Sequence, residues 1–132
     1  MTHQQARREA ERCLTCFDAA CTAACPVHID IPAFIRMVKT GNLRGAAEVV
    51  KTSNALANVC GRICPEEVFC QSVCNRGKLD IPVAIRELHL HATEYEVKYG
   101  YSSTVLPSPR TAGLQKLVAV IGGGPAGLGC AF

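Results

Sequence analysis

Nine cysteines in a chain of 132 residues constrain its fold more than any other feature. Eight of them form two groups, Cys13-x2-Cys16-x4-Cys21-x3-Cys25-Pro26 and Cys60-x3-Cys64-Pro65-x5-Cys70-x3-Cys74. The length is enough for one domain. Aromatic residues make up only 5% of it and Trp is absent, so the large rings that usually dominate core burial are few. Domains short of apolar area are stapled by disulfides or metal sites, and cysteines at this density supply either.

Compartment decides between the two. The N-terminus Met1-Thr2-His3-Gln4-Gln5 is polar and continues into Arg7, Arg8 and Glu9, without the apolar core of a signal peptide. No apolar run approaches the roughly 18 residues of a membrane span. The expectation is a cytoplasmic protein with no membrane partner, and in a reducing cytosol grouped cysteines bind metal more often than they pair. The formal charge of +3 comes from Lys and Arg scattered among Asp and Glu, not from the basic stripe of a nucleic-acid-binding surface. Arg12, Arg36, Arg62 and Arg76 are each read as solvated surface arginines.

The chain divides into three segments, a helical domain over 1–100, a linker over 101–116 and the start of a second domain over 117–132. Gln4 to Arg12 reads as a short polar helix whose charges form a solvated face. Asp30-Ile31-Pro32 offers an acidic cap and a proline in the first turn, which predicts a helix from Pro32 to Thr40 ended by Gly41. Asn42 caps a second, with Leu43, Ala46, Ala47 and Val50 as its buried stripe. Pro82 to Tyr99 predicts a third, with Ile85, Leu88, Ala92 and Tyr95 on one face. The cysteines fall mainly in the connections. The linker is rich in Ser, Pro and Gly and lacks periodicity.

After the linker, Leu117-Val118-Ala119-Val120-Ile121 reads as a buried parallel strand, and Gly122-x-Gly124-x-x-Gly127 follows at once. Strand, turn and helix start fit the dinucleotide-binding fingerprint, whose glycines allow a tight turn and close approach to a pyrophosphate. Gly122, Gly124 and Gly127 are therefore candidate cofactor-binding residues. One strand and a helix stub cannot bury themselves, so 117–132 is read as the truncated beginning of a Rossmann-like domain. The acidic ribose partner expected about 20 residues further on falls beyond Phe132, so cofactor binding by this segment alone is not expected. Cys130 is read as a small core-facing residue of the helix.

The spacing of the cysteines favours iron-sulfur chemistry. Structural zinc sites join two close pairs around one tetrahedral ion. A run of four ending in Cys-Pro instead wraps one cubane with three thiolates and donates the fourth to another cluster. Two such groups point to two 4Fe-4S clusters; a zinc-stapled, non-redox module for subunit contact is the alternative.

The sequence also resembles a known family. The first group with Cys25-Pro26, Asp30-Ile31-Pro32 and Phe34-Ile35, then Gly45-Ala46-Ala47, Asn54-Ala55-Leu56, Cys60-Gly61-Arg62-Ile63-Cys64-Pro65 and Ile81-Pro82-Val83-Ala84-Ile85 are similar to the N-terminal iron-sulfur domain of the dihydropyrimidine dehydrogenase and NADPH-dependent glutamate synthase small-subunit superfamily. The resemblance runs from Arg12 to Tyr99 and resumes at Leu117. It implies a mostly helical fold of the α-helical ferredoxin kind with two 4Fe-4S clusters and interleaved ligands. Carried over by motif, Cys13, Cys16, Cys21 and Cys74 hold one cluster, while Cys25, Cys64 and Cys70 hold the other. Relatives complete the second with Gln or Glu on the helix after the Pro-x-x-Ile motif, and His89 occupies the matching position. Imidazole can replace thiolate on cluster iron. His91 is a weaker candidate on a different helix face, and Cys60 is left over as a small apolar residue, or as the fourth ligand if His89 does not bind.

The resemblance further implies that the intact protein passes hydride from NAD(P)H to FAD, then single electrons through the clusters to a partner subunit or second domain, with an oligomer possible. No acid-base or nucleophile constellation is present in the fragment, which is expected to be the wire and not the catalyst. Pyrimidine reduction, glutamate synthesis and ferredoxin-NADP exchange share this domain, so the terminal substrate stays open.

Overall fold

The computed structural model describes residues 1–100 and 118–131. Helix α1 (His3–Glu11) starts at a capping box: the Thr2 hydroxyl accepts the Gln5 N–H, and the Gln5 side chain accepts the Thr2 N–H, so two of the helix's orphan donors are satisfied. A short α2 (Ala20–Ala24) follows. Helices α3 (Ile31–Lys39) and α4 (Leu43–Ser53) begin where the sequence places their caps, with Asp30 accepting from Ala33 and Asn42 from Gly45. Then come α5 (Ala57–Ile63), two 3-10 turns at Glu66–Val68 and Asn75–Lys78, and α6 (Ile85–Tyr99). Helix α7 (Pro125–Ala131) closes the described chain.

Helix α3 packs on α4, α4 and α5 pack on α6, and α1 lies on α3. The fully buried side chains of the core are Phe34, Ile35, Val38, Val50, Val83 and Leu88, while Ala6, Ala10, Ala46, Ala57 and Ala92 are buried among them. Alanine lets helix backbones approach, so a chain poor in aromatics still closes a core. Burying each large aliphatic side chain contributes about 1.5–3 kcal/mol, which makes the few large residues disproportionately important.

Gly61 sets how closely α5 and α6 meet. A Cβ there would lie 3.2 Å from the backbone Cα of Leu90, a separation at which the neighbouring backbone must give way. The end of α5, and with it Cys64, is thereby held against α6.

Three expectations need correction. Helix α6 begins at Ile85 instead of Pro82, because α1 holds the preceding segment: Arg12 donates to the carbonyls of Ile81 and Pro82, and the Ala84 N–H donates to Glu9 at 2.9 Å. The polar residues of α1 are therefore not just a solvated face. Nor are Arg12 and Arg76 free surface charges, since both bond the Asp80 carboxylate; Arg36 is exposed, and Arg62 is exposed and paired with Glu94. Hydrogen bonds from Arg76 first, then from Arg12, hold the Asp80 carboxyl well below the usual carboxylate range. The grouped cysteines do fall mainly in the connections, with Cys21 in α2 and Cys60 in α5 the two that lie inside helices.

In the C-terminal piece the expected strand does not form: residues 118–121 have no ladder partners among the described residues, and one strand without a sheet is not stable. Leu117 and the linker 101–116 lie outside the described residues. The glycine turn does form. Gly122 sits at φ +110°, and a Cβ on Gly127 would collide with the Gly122 carbonyl oxygen. Cys130 is exposed on α7 and not core-facing, because among the described residues there is no sheet for α7 to cover. Among the described residues no helix is long and apolar enough to cross a membrane.

Candidate metal centre

The two cysteine groups interleave in space. Cys13, Cys16, Cys21 and Cys74 line one recess, together with Ile31, Ile35, Val83 and Ile85. Within it the Cys13 thiol interacts electrostatically with Cys74 and Cys16, and Cys21 with Cys74 and Cys13. The local backbone arranges this. Thr15, between the first two cysteines, takes a left-handed conformation at φ 50°, uncommon for a β-branched residue, and its backbone hydrogen-bonds the Cys13 sulfur. The Thr22 backbone does the same for Cys21. From the far group, Asn75 Nδ2 donates to Cys16 Sγ at 3.5 Å.

A second set forms beside the first. Cys64 interacts with Cys60 and Cys25. Cys70 interacts with Cys64 and Cys25, and also with Cys21 of the first set, so the two sets adjoin. Cys25 reaches this set through the tight turn after Pro26, where His28 is left-handed at φ 52° and its N–H bonds the Cys25 carbonyl at 2.9 Å. Thus Cys25 leaves its own group for the other, and Cys74 does the reverse.

His89 is buried in α6, its ring centroid 6.2 Å from that of Phe34. The ring hydrogen-bonds the backbone at Ala57, while Nε2 is buried without a partner. Burial lowers its pKa to about 4, against a smaller opposing effect of Ala57, so at neutral pH the imidazole is uncharged and able to donate a lone pair to iron. An orphaned buried nitrogen on a ring whose position is set by a backbone contact is what a metal-ligating histidine looks like before the metal is added. His91 instead faces His3, with Nδ1 of His3 3.0 Å from Nε2 of His91.

Two groups were missed by the sequence reading. Glu66 is buried and interacts with both Cys64 and Cys70. Burial pushes its carboxyl up, and the Arg86 backbone N–H and guanidinium oppose this. Asn75 bonds a sulfur. Both adjoin ligand motifs, one directly after Cys64-Pro65 and the other directly after Cys74, and that adjacency is the signal that marks them.

The residues fit an iron-sulfur cube. The thiols of the first set ring a recess floored by aliphatic side chains, while among the described residues no three His, Cys, Asp or Glu side chains converge on the point a single ion needs. A cube with iron at four corners takes one ligand per corner and wants them spread apart.

Burial is the main cause of raised thiol pKa values at Cys13, Cys21, Cys64 and Cys70, with Cys21 at about 11 and Cys70 at about 12 against an ordinary 9.0. Cluster-free protein thus carries these thiols protonated at neutral pH, whereas ligation needs thiolate. Assembly must release protons, and lower pH opposes it. Reconstitution of cluster-free protein is expected to be faster at pH 8.5 than at pH 7, with proton uptake on acid-driven cluster loss. Visible absorbance and a pH-stat check it; a rate independent of pH would contradict these raised values.

Comparison with known proteins gives the same answer. Residues 1–101 match the family model described as dihydropyrimidine dehydrogenase domain II, 4Fe-4S cluster. The chain belongs to this family. This 4Fe-4S domain is 46% identical over 121 residues to the NAD-dependent dihydropyrimidine dehydrogenase subunit PreT of Escherichia coli K12, covering 92% of the chain and 28% of that protein. It is 37% identical over 128 residues to the glutamate synthase [NADPH] small chain of Halomonas elongata, covering 97% of the chain and 26% of the relative. It is 36% identical over 116 residues to the NADPH-Fe(3+) oxidoreductase subunit beta of Geobacter sulfurreducens, covering 88% and 16%. The chain therefore spans little more than a quarter of the first two relatives. As a member of the family it is a cluster-binding domain of the kind carried by oxidoreductase subunits.

Proposed function

We propose that this chain is the electron-transfer domain of an NAD(P)H-dependent iron-sulfur flavoprotein, with Cys13, Cys16, Cys21 and Cys74 holding one 4Fe-4S cluster and Cys25, Cys64, Cys70 and His89 a second. The observation that carries the reading is the exchange of Cys25 and Cys74 between groups, which produces two adjoining sets of thiols. Each cluster, when bound, takes up and passes on one electron at a time. The protein's share is to hold the sets side by side, to shield the first with aliphatic side chains, and to hydrogen-bond its sulfurs through Thr15, Thr22 and Asn75.

His89 is favoured for the eighth position by its orphaned Nε2. Arg86, one turn earlier on α6, already bonds the Cys64 carbonyl at 3.2 Å, which ties this helix to the second set. In the longer protein, the turn made by Gly122, Gly124 and Gly127 begins an FAD domain that takes hydride from NAD(P)H; the clusters then feed a partner subunit or second domain. The relatives are named for both NAD and NADPH, so the nicotinamide is left as either.

Protein purified without oxygen should contain about eight iron and eight sulfide per chain; zinc with negligible sulfide would overturn the assignment. Replacing His89 by Ala should alter the potential or content of the second cluster alone, leaving the first intact. An unchanged potential and content in that variant, with loss of the second cluster in Cys60→Ala, would assign the eighth position to Cys60.

A further inference from the structure

Glu66 is a buried acid that the electron-transfer reading does not use. Its side chain is 8% exposed. Oε2 accepts the Arg86 backbone N–H at 2.7 Å, in the first turn of α6, and Oε1 lies 3.7 Å from Arg86 Nε. The same guanidinium donates through Nη1 to the Cys64 carbonyl at 3.2 Å. Glu66's backbone organises the loop as well: its N–H donates to the Cys64 carbonyl, and its carbonyl accepts from Phe69 and Gln71, on either side of Cys70. One residue thus ties the segment carrying Cys64 and Cys70 to the helix carrying His89, while placing a carboxylate beside the thiols of Cys64 and Cys70.

A carboxylate in a site shielded from water acts strongly on a neighbouring charge, because the local dielectric is low. Reduction adds an electron to a cluster already surrounded by thiolates, so a fixed negative charge beside it opposes reduction. The Arg86 guanidinium, partly exposed and bonded to the Cys64 carbonyl, offsets this in part. We propose that Glu66 and Arg86 form a clamp that positions the second cluster's ligands and sets its reduction potential below the value its ligands alone would give, separating it from the first cluster. This inference rests on the two-cluster reading.

The test is a potentiometric titration of the full chain, purified without oxygen and followed by electron paramagnetic resonance, after iron and sulfide have been counted. Glu66→Gln keeps an oxygen for the Arg86 N–H but removes the charge. It is expected to retain about eight iron and to shift only the second cluster to a more positive potential. Arg86→Gln keeps the backbone N–H bond to Glu66 and leaves the carboxylate uncompensated, so the second cluster should shift the opposite way. Opposite shifts confined to one cluster are a signature that loosened packing would not give. No shift in either variant, or shifts of the same sign, would overturn the clamp as a determinant of potential. Wild-type protein with only one cluster would instead overturn the two-cluster reading, before either variant is compared.

Discussion

Replacing Cys74 by Ala should remove about half of the iron, leaving roughly four atoms per chain, and should destabilise the fold more than any other single cysteine change outside the second set. Cys74 is the thiol that the far group places in the recess of the first set, where it interacts with both Cys13 and Cys21. The residues beside it do related work. Asn75 bonds Cys16, and Arg76 bonds Asp80, which Arg12 at the C-terminal cap of α1 also holds. With Cys74 gone, the remaining three thiols keep no fourth partner from their own group, because Cys25 is turned to the second set. Iron and sulfide analysis with electron paramagnetic resonance of the reduced protein checks this: one cluster signal should vanish while the other persists. Retention of all the iron would mean that the first set is wrongly drawn.

Phe34→Ala should have the largest effect of any change outside the ligands. Phe34 is 1% exposed and the largest fully buried side chain of the core. Truncating a phenylalanine in such a place costs about 3–5 kcal/mol, part lost transfer energy and part cavity. For a domain of this size each kcal/mol moves the melting temperature by about 4–8 °C. Helicity should therefore be lost at a temperature lower by at least roughly 12 °C. Because the ring also packs beside His89, the second cluster's absorbance should bleach before the first's. Phe34→Leu, which leaves less space to fill, should recover most of the loss. A melting temperature within a few degrees of wild type would show that the ring is not central to the core.

What the sequence disclosed, and what it withheld, follows the range of the forces involved. The caps Asp30 and Asn42 were legible because a cap acts on an N–H only three residues away. The stripes of α4 and α6 were legible because burial repeats with the helix period. The start of α6 was not, since Pro82 and its neighbours are held by Arg12 and Glu9 from the other end of the domain, a contact that no local pattern encodes. Helices α2 and α5 are too short for periodicity to register. Of the candidate site, the division of the cysteines between two sets came from family resemblance alone, because no local pattern says which thiols meet across the chain. The role of Glu66 was invisible, since one glutamate of the pair Glu66-Glu67 is buried against Arg86 and the other exposed. The run 118–121 shows the opposite case: its apolar pattern is clear, but among the described residues it has no ladder partner.

The exchange of Cys25 and Cys74 also bears on how the protein is made. Asn75 and Cys16 meet across 59 positions of chain. At about 5–20 residues per second on the ribosome, Cys13, Cys16 and Cys21 emerge several seconds before the residue that completes their ring. Cys25 waits nearly as long for Cys64 and Cys70. By the proposed assignment neither set can be filled before the second group is made: the first is complete once Cys74 emerges, and the second waits for His89, 15 residues later. On that assignment maturation is staggered: the iron delivery machinery meets the first nest complete while the second is still open.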